Sequence, residues 1–297
     1  MVVRPARALA ALIPVLALLP AAPAAPAAVP AAAWADPCAA DGRWSGVPVE
    51  QVRGEIEARQ RLGPLTAQHR SARSEAGGPA GMIHPAQGAS FRARKGSDGA
   101  CATHTVQPGL TPARRTTTIY SPTLYPPGGS CVELVTAYYG PVRAVAAWDW
   151  CGAAAFRAFV PIDGAFLATY TGSGGRYTGR VVRTDAADNT WTAALYNRRS
   201  GAWDHLFSSS GTSRSGRTTG WDVDEVYSAV TGGVADACAD RRGLRFAATG
   251  IHLRRRGAWA PASAASADAR YDRPDAAFHC PGRAFARRDW TRWRALG

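Results

Sequence analysis

Glutamate is scarce in this chain, and beyond Glu75 only Glu133 and Glu225 remain. Both fall in stretches that alternate apolar and polar residues, the pattern of strands. In Gly220-Trp-Asp-Val-Asp-Glu-Val-Tyr227, a period of two sets Trp221, Val223, Glu225 and Tyr227 on one face. A carboxylate flanked by two aromatic rings serves two kinds of chemistry. It can bond a sugar hydroxyl while a neighbouring ring stacks on the apolar face of a pyranose, making Trp221, Glu225 and Tyr227 a ligand-binding strand face. Alternatively, apolar surroundings favour its protonated form and make it a general acid, with Glu133 as the second carboxylate of a hydrolase. The structural alternative is a salt bridge from Glu225 to one of the many arginines.

Several other machines are missing. There is no G-x-S-x-G elbow, no H-E-x-x-H, no P-loop and no glycine-rich dinucleotide turn. His69, His84, His104, His205, His252 and His279 lack the spacing of metal ligands. Asp222 and Asp224 point away from Glu225 and are placed to flank a calcium ion, but no D-x-D-x-D-G loop accompanies them. No metal and no cofactor is expected.

Such a strand face needs a sheet to hold it, and the chain has the composition for one. Arg4 and Arg7 precede an apolar run from Ala8 to Leu19, and Ala33-Trp34-Ala35 forms an A-x-A cleavage pattern. Residues 1–35 therefore read as a secretory signal, with a mature protein beginning at Asp36. The apolar run is too short and too broken by Pro14 and Pro20 to span a membrane. Six cysteines follow: Cys38, Cys101, Cys131, Cys151, Cys238 and Cys280. An even number without C-x-x-C spacing in an exported chain points to disulfides, and pairing by proximity gives 38–101, 131–151 and 238–280.

The net charge of +13 comes almost wholly from arginine, Lys95 being the single lysine. Arg-Arg pairs are scattered along the chain, and no recognition motif goes with them, so specific nucleic-acid binding is not expected. Attraction to anionic cell-wall polymers or acidic polysaccharide fits the charge.

Residues 36–115 read as a helix over Val47–Leu62, then an irregular Gly-, Pro- and Ser-rich arm or propeptide. From 116 to 297 short β-type runs alternate with turn residues, as in a sandwich or jelly roll. The expected strands are Thr117–Tyr120, Cys131–Tyr139, Val142–Trp150, Phe156–Ile162, Phe166–Thr171, Thr178–Thr184, Thr190–Asn197, Ala202–Ser208, Trp221–Tyr227, Leu244–Ala248 and Ile251–Arg254. A short helix is expected within Ser228–Asp240. The plainest unit is a hairpin of Thr190–Asn197 and Ala202–Phe207 about the turn Arg198-Arg-Ser-Gly201, with Trp191, Ala193 and Leu195 on one face. Tryptophans at alternating strand positions (Trp148, Trp150, Trp191, Trp203, Trp221) are core or, where exposed, stacking platforms.

Two resemblances cover mainly Ala144 to Tyr227. Val160-Pro-Ile-Asp163, Asn189 to Asn197, Ser200-Gly-Ala-Trp203 and Gly220 to Glu225 are similar to secreted bacterial proteins labelled carbohydrate-binding. That likeness implies a non-catalytic, lectin-like, concanavalin A-like sandwich with polysaccharide or glycan as partner. The same stretch, through Ala147-Trp-Asp-Trp150, Tyr196 to Ser209 and Trp221 to Tyr227, more faintly resembles the glutamic peptidases, which are β-sandwich enzymes. Fungal-type members pair a catalytic glutamine with a glutamate. The last glutamine here is Gln107, ahead of the expected sandwich, which excludes such a dyad inside it. Plant-type relatives use two glutamates, a role that Glu133 and Glu225 fit. The leading expectation is a secreted, extracellular all-β antiparallel sandwich that binds carbohydrate, with a two-carboxylate hydrolase or a cell-surface interaction or inhibitor protein as the alternatives.

Overall fold

A computed structural model describes residues 36–48, 81–172, 174–268 and 274–297. The expected signal at 1–35 lies outside the described residues. So does the expected helix, apart from Val47 and Pro48, which close a strand.

The chain forms two sheets. One has the path β1 (Trp44–Pro48), β12 (Ala202–Ser209), β11 (Thr190–Asn197), β10 (Arg176–Asp185), β4 (Ser97–Thr105), β15 (Arg245–Arg255), β19 (Arg292–Leu296) and β18 (Ala284–Asp289). β16 (Ala258–Pro261) pairs with β15, and β9 (Thr171–Gly172) with β10. The other runs β17 (Ala267–Asp268), β3 (Ala86–Phe91), β13 (Gly220–Thr231), β5 (Thr118–Tyr125), β6 (Val132–Tyr139), β7 (Val142–Asp149) and β8 (Ala155–Pro161). β2 (Met82–Ile83) and β14 (Val234–Ala235) both pair with β13. Pairing is antiparallel except between β1 and β12.

Alternation along each strand decides what the sheets bury. Leu134 and Tyr138 of β6, Val145 and Ala147 of β7, Tyr177 and Val181 of β10, Trp191, Ala193 and Leu195 of β11, and Phe246 of β15 form one core cluster drawn from both sheets. Burying such side chains contributes roughly 1.5–3 kcal/mol each relative to leaving them in water. The intervening residues of the nine-stranded sheet point the other way and form a second, aromatic cluster: Tyr120, Tyr125, Trp148, Trp150, Phe156, Trp221 and Tyr227. That outer face is buried as well, each of these rings being at most 7% exposed.

The expected hairpin is present as β11–β12, with its three named residues in the inter-sheet core. Three expectations are corrected. The strand expected at Phe166–Thr171 is a helix, α1 (Gly164–Tyr170), because Asp163 caps it by accepting from the Phe166 amide at 2.9 Å. Leu244–Ala248 and Ile251–Arg254 are one strand, β15. The arm expected to be irregular up to residue 115 instead supplies β2, β3 and β4, with β4 central in its sheet. β3 and β4 are built mostly from small residues buried on both faces, so the alternation that marks a half-buried strand is absent. At Gly88 a Cβ would sit 2.2 Å from the Asp222 carbonyl oxygen, so only glycine lets β3 approach β13 this closely. The expected short helix is α2 (Ala237–Arg241).

Disulfides join Cys38 to Cys101, Cys131 to Cys151 and Cys238 to Cys280. The first ties the chain ahead of β1 to the central strand β4 across 63 residues. Replacing Cys38 and Cys101 by serine is expected to lower stability by about 2–4 kcal/mol, through the freed unfolded chain. A urea midpoint unchanged from the parent would contradict that.

Candidate functional site

The aromatic outer face of the nine-stranded sheet carries both expected glutamates. Glu133 on β6 sits opposite Trp148 of β7, and Glu225 on β13 sits opposite Tyr120 of β5. Directly opposed antiparallel residues share a face, so both carboxylates belong to the face of Trp221 and Tyr227.

Glu133 is wholly buried and held by polar hydrogens. Its Oε1 accepts from the Thr123 hydroxyl at 2.9 Å and from the Trp221 indole N–H at 3.0 Å, and its Oε2 accepts from the Trp150 indole N–H at 3.0 Å. A buried carboxylate is tolerated only with such partners. The two tryptophans are thereby locked edge-on, and Trp221 stacks on Tyr125 with ring centroids 4.4 Å apart.

Glu225 sits differently. Its Oε1 accepts from the Tyr227 hydroxyl at 2.7 Å and is also bonded by Nε2 of His84. The His84 ring stacks on Tyr227, centroids 3.8 Å apart and planes 18° apart. Glu225 is 6% exposed, whereas the His84 side chain is 27% exposed. Imidazole, phenol and carboxylate therefore form one hydrogen-bonded group reaching from the aromatic wall toward solvent.

Tyr120 lies opposite Glu225 on the same face. Burial, with the negative charges of Glu225 and Glu133, pushes its phenol well above the usual tyrosine value, so it stays a hydroxyl donor. Its ring lies edge-on to Tyr227 at 5.4 Å and to Phe156 at 5.8 Å. Tyr120 reaches this face through an irregularity in β5. Ile119 and Leu124 face the inter-sheet core while Tyr120 and Tyr125 face outward, so the strand changes parity between them. The register shifts there against both neighbours, between Tyr120 and Thr123 on the β6 side and between Val223 and Glu225 on the β13 side. Bulges of this kind re-aim side chains beside sites.

Asp222 and Asp224 do point to the opposite face, but they are committed to protein partners. Asp222 accepts from His104 Nε2 and from the Trp293 indole, both at 2.8 Å. Asp224 takes both oxygens to Arg241, at 2.9 and 2.8 Å, and bonds Arg283 at 2.8 Å. Two guanidiniums already neutralise the Asp224 carboxylate that a calcium ion flanked by this pair would need. Among the described residues one group of ligand-type side chains converges, Asp36, Cys38 and His252, but the Cys38 sulfur is bonded to Cys101. Gln87 lies inside the sandwich after all, opposite Asp224 on β13. Its carboxamide oxygen accepts from Arg283, on the face opposite Glu225, so no Gln87–Glu225 dyad forms.

Tyr120→Phe keeps the ring against Tyr227 and Phe156 and removes a buried hydroxyl, so it is expected to lower stability by about 1–3 kcal/mol in urea unfolding. A midpoint unchanged from the parent would contradict that.

No protein-family model and no curated protein matches the chain. Among solved structures it aligns with Scytalido-glutamic peptidase bound to a peptide-based transition state analog, at 13% identity over 71% of this chain and 97% of that one, with a TM-score of 0.43. It also aligns with SCP-B, a member of the Eqolisin family of peptidases in complex with the tripeptide Ala-Ile-His, at 12% identity over 71% and 96%, with a TM-score of 0.40. A third, Scytalido-glutamic peptidase with a transition state analog inhibitor, aligns at 12% identity over 71% and 97%, with a TM-score of 0.41. Likenesses this distant carry no functional weight, and the residues of the site bear the argument alone.

Proposed function

We propose that this chain is an exported hydrolase that cleaves peptide bonds, with Glu225 as the group that moves the proton. The observation that carries the reading is the Glu225 carboxylate, held by His84 and Tyr227 on the same aromatic sheet face as Glu133. In the proposed reaction the Glu225 carboxylate takes a proton from water as the water oxygen bonds to the amide carbonyl carbon. The carbonyl oxygen becomes an oxyanion as that bond forms. The C–N bond then breaks, and the proton held by Glu225 passes to the leaving nitrogen, giving a carboxylic acid and an amine. His84 and Tyr227 position Glu225 through its Oε1, and Glu133 fixes the tryptophans of the wall.

A peptide fits this arrangement better than a glycoside. A glycosidase needs two carboxyl groups open to the scissile bond from either side. Glu133 is fully buried and occupied by three donors. The carbohydrate-stacking reading needs open ring faces, yet Trp221 and Tyr227 are each 2% exposed. Export is proposed from the leader-like N-terminus and agrees with three disulfides, which persist in oxidising compartments.

The test is to incubate the purified protein with a denatured protein and, in parallel, with insoluble neutral polysaccharides, from acid to neutral pH. New peptide termini are the expected result. Retention on the polysaccharide with no peptide cleaved at any pH would overturn the proposal in favour of a lectin-like role.

A further inference from the structure

The opposite side of the molecule, the outer face of the ten-stranded sheet, holds a cavity of about 220 Å³ lined by arginine. Arg176 of β10, Arg245 of β15, and Arg292 and Arg294 of β19 contribute, together with Ala247 and Thr249 of β15. Register explains their meeting. Ala247 lies opposite Arg294, and Arg245 lies two residues from Ala247 on the same face. On the far side β4 separates β15 from β10, and Thr105 of β4 lies opposite Arg176 while its hydroxyl accepts from the Ala247 amide at 2.9 Å. Small side chains at the centre thus leave a floor with guanidiniums around it.

The charge of this cavity is not cancelled from within. No Asp or Glu lines it; Arg292 is paired with Asp289 at 2.7 Å, and Arg245 also has a partner of its own. Among the described residues Arg176 and Arg294 have no carboxylate partner. The Arg294 Nε is buried and without a hydrogen-bond partner, a cost that a ligand oxygen would relieve. Several like charges around one hollow repel each other, and an anion placed among them removes that repulsion. Guanidinium forks match the oxygens of carboxylate and phosphate two at a time.

We infer that this cavity is a binding site for the anionic unit of an acidic polysaccharide, its carboxylate or phosphate oxygens held by Arg176 and Arg294 with Arg245 and Thr249 alongside. The volume exceeds what a lone ion requires and admits part of the sugar that carries the charge. The site is independent of the Glu225 face, being on the other sheet. It would tether the protein to a charged polymer while leaving the Glu225 face turned away from it.

The test measures retention of the full-length secreted protein on resins bearing polygalacturonate, a glycerol-phosphate polymer or neutral cellulose. The parent is compared with the double variant Arg176→Gln, Arg294→Gln. A control double variant, Arg157→Gln with Arg217→Gln, removes the same charge at exposed positions outside the cavity. The parent is expected to be retained on a charged resin and not on cellulose, in a salt-sensitive manner. The cavity variant should bind at least about tenfold more weakly, the size of one lost charge-assisted hydrogen bond, and the control should bind like the parent. Preference between the two charged resins identifies carboxylate or phosphate as the oxyanion. Equal weakening in both variants would mean unspecific adsorption by net charge, and no weakening in the cavity variant, or equal retention on cellulose, would also overturn the site.

Discussion

Replacing Glu225 by glutamine is expected to lower kcat on a peptide substrate by about 10²–10⁴-fold while KM changes little. Glutamine keeps the size of the side chain and an oxygen that can still accept from Tyr227 and His84. An amide cannot carry the proton from water to the leaving nitrogen, so the loss falls on turnover. His84→Ala should lower kcat less, because Tyr227 still bonds the carboxylate at 2.7 Å. If Glu225→Gln left kcat unchanged while His84→Ala abolished it, the imidazole would be the proton carrier and the proposed roles would be wrong.

The second large effect concerns stability. Asp224→Ala is expected to destabilise the protein by about 3–5 kcal/mol in urea unfolding, because it leaves Arg241 buried without a counter-ion and Arg283 with Asp275 alone. Both arginines are about 1% exposed or less at the side chain. Arg241→Met should cost less, since Arg283 still neutralises Asp224 and the methionine retains contact with Phe246, over which the guanidinium now lies. The same site gives a pH dependence of known sign. Burial alone would raise the Asp224 carboxyl, but the charges of Arg241 and Arg283 outweigh it and hold the group below the usual aspartate value. A group depressed in the folded state contributes stability that is fully present above its unfolded value of about 3.9 and is lost as pH falls through the folded one. Acid unfolding of the parent should therefore steepen below about pH 4, and Asp224→Ala should flatten that limb. Equal acid sensitivity in both proteins would place the titrating groups elsewhere.

Much of this architecture was legible from alternation alone. The β11–β12 hairpin and the shared face of Trp221, Val223, Glu225 and Tyr227 follow from a period of two, and both are present. The cysteine pairs follow from proximity in sequence, and those pairs form. His84 and Tyr120 could not be placed in the same way. His84 lies between the two-residue strand β2 and β3, next to Pro85, where the run is too short to show a period. Tyr120 changes face because β5 is irregular, and strict alternation from Tyr125 would turn it inward. One local clue existed: Pro122 inside a run of β-type residues has no N–H to give to a sheet, and in a central strand proline marks a bulge. Alternation puts the rings of Trp221 and Tyr227 on the face they occupy, but their burial depends on what packs over that face, which no strand pattern encodes.

Peptide hydrolysis in heavy-oxygen water reads the proposed role of Glu225 from the product itself. The parent protein is expected to cleave a denatured protein and leave one heavy oxygen in each new C-terminal carboxyl, since water is the nucleophile that Glu225 activates, whereas Glu225→Gln gives no such product in the same time. Absence of new termini with the parent protein, or equal labelled product from Glu225→Gln, would contradict it.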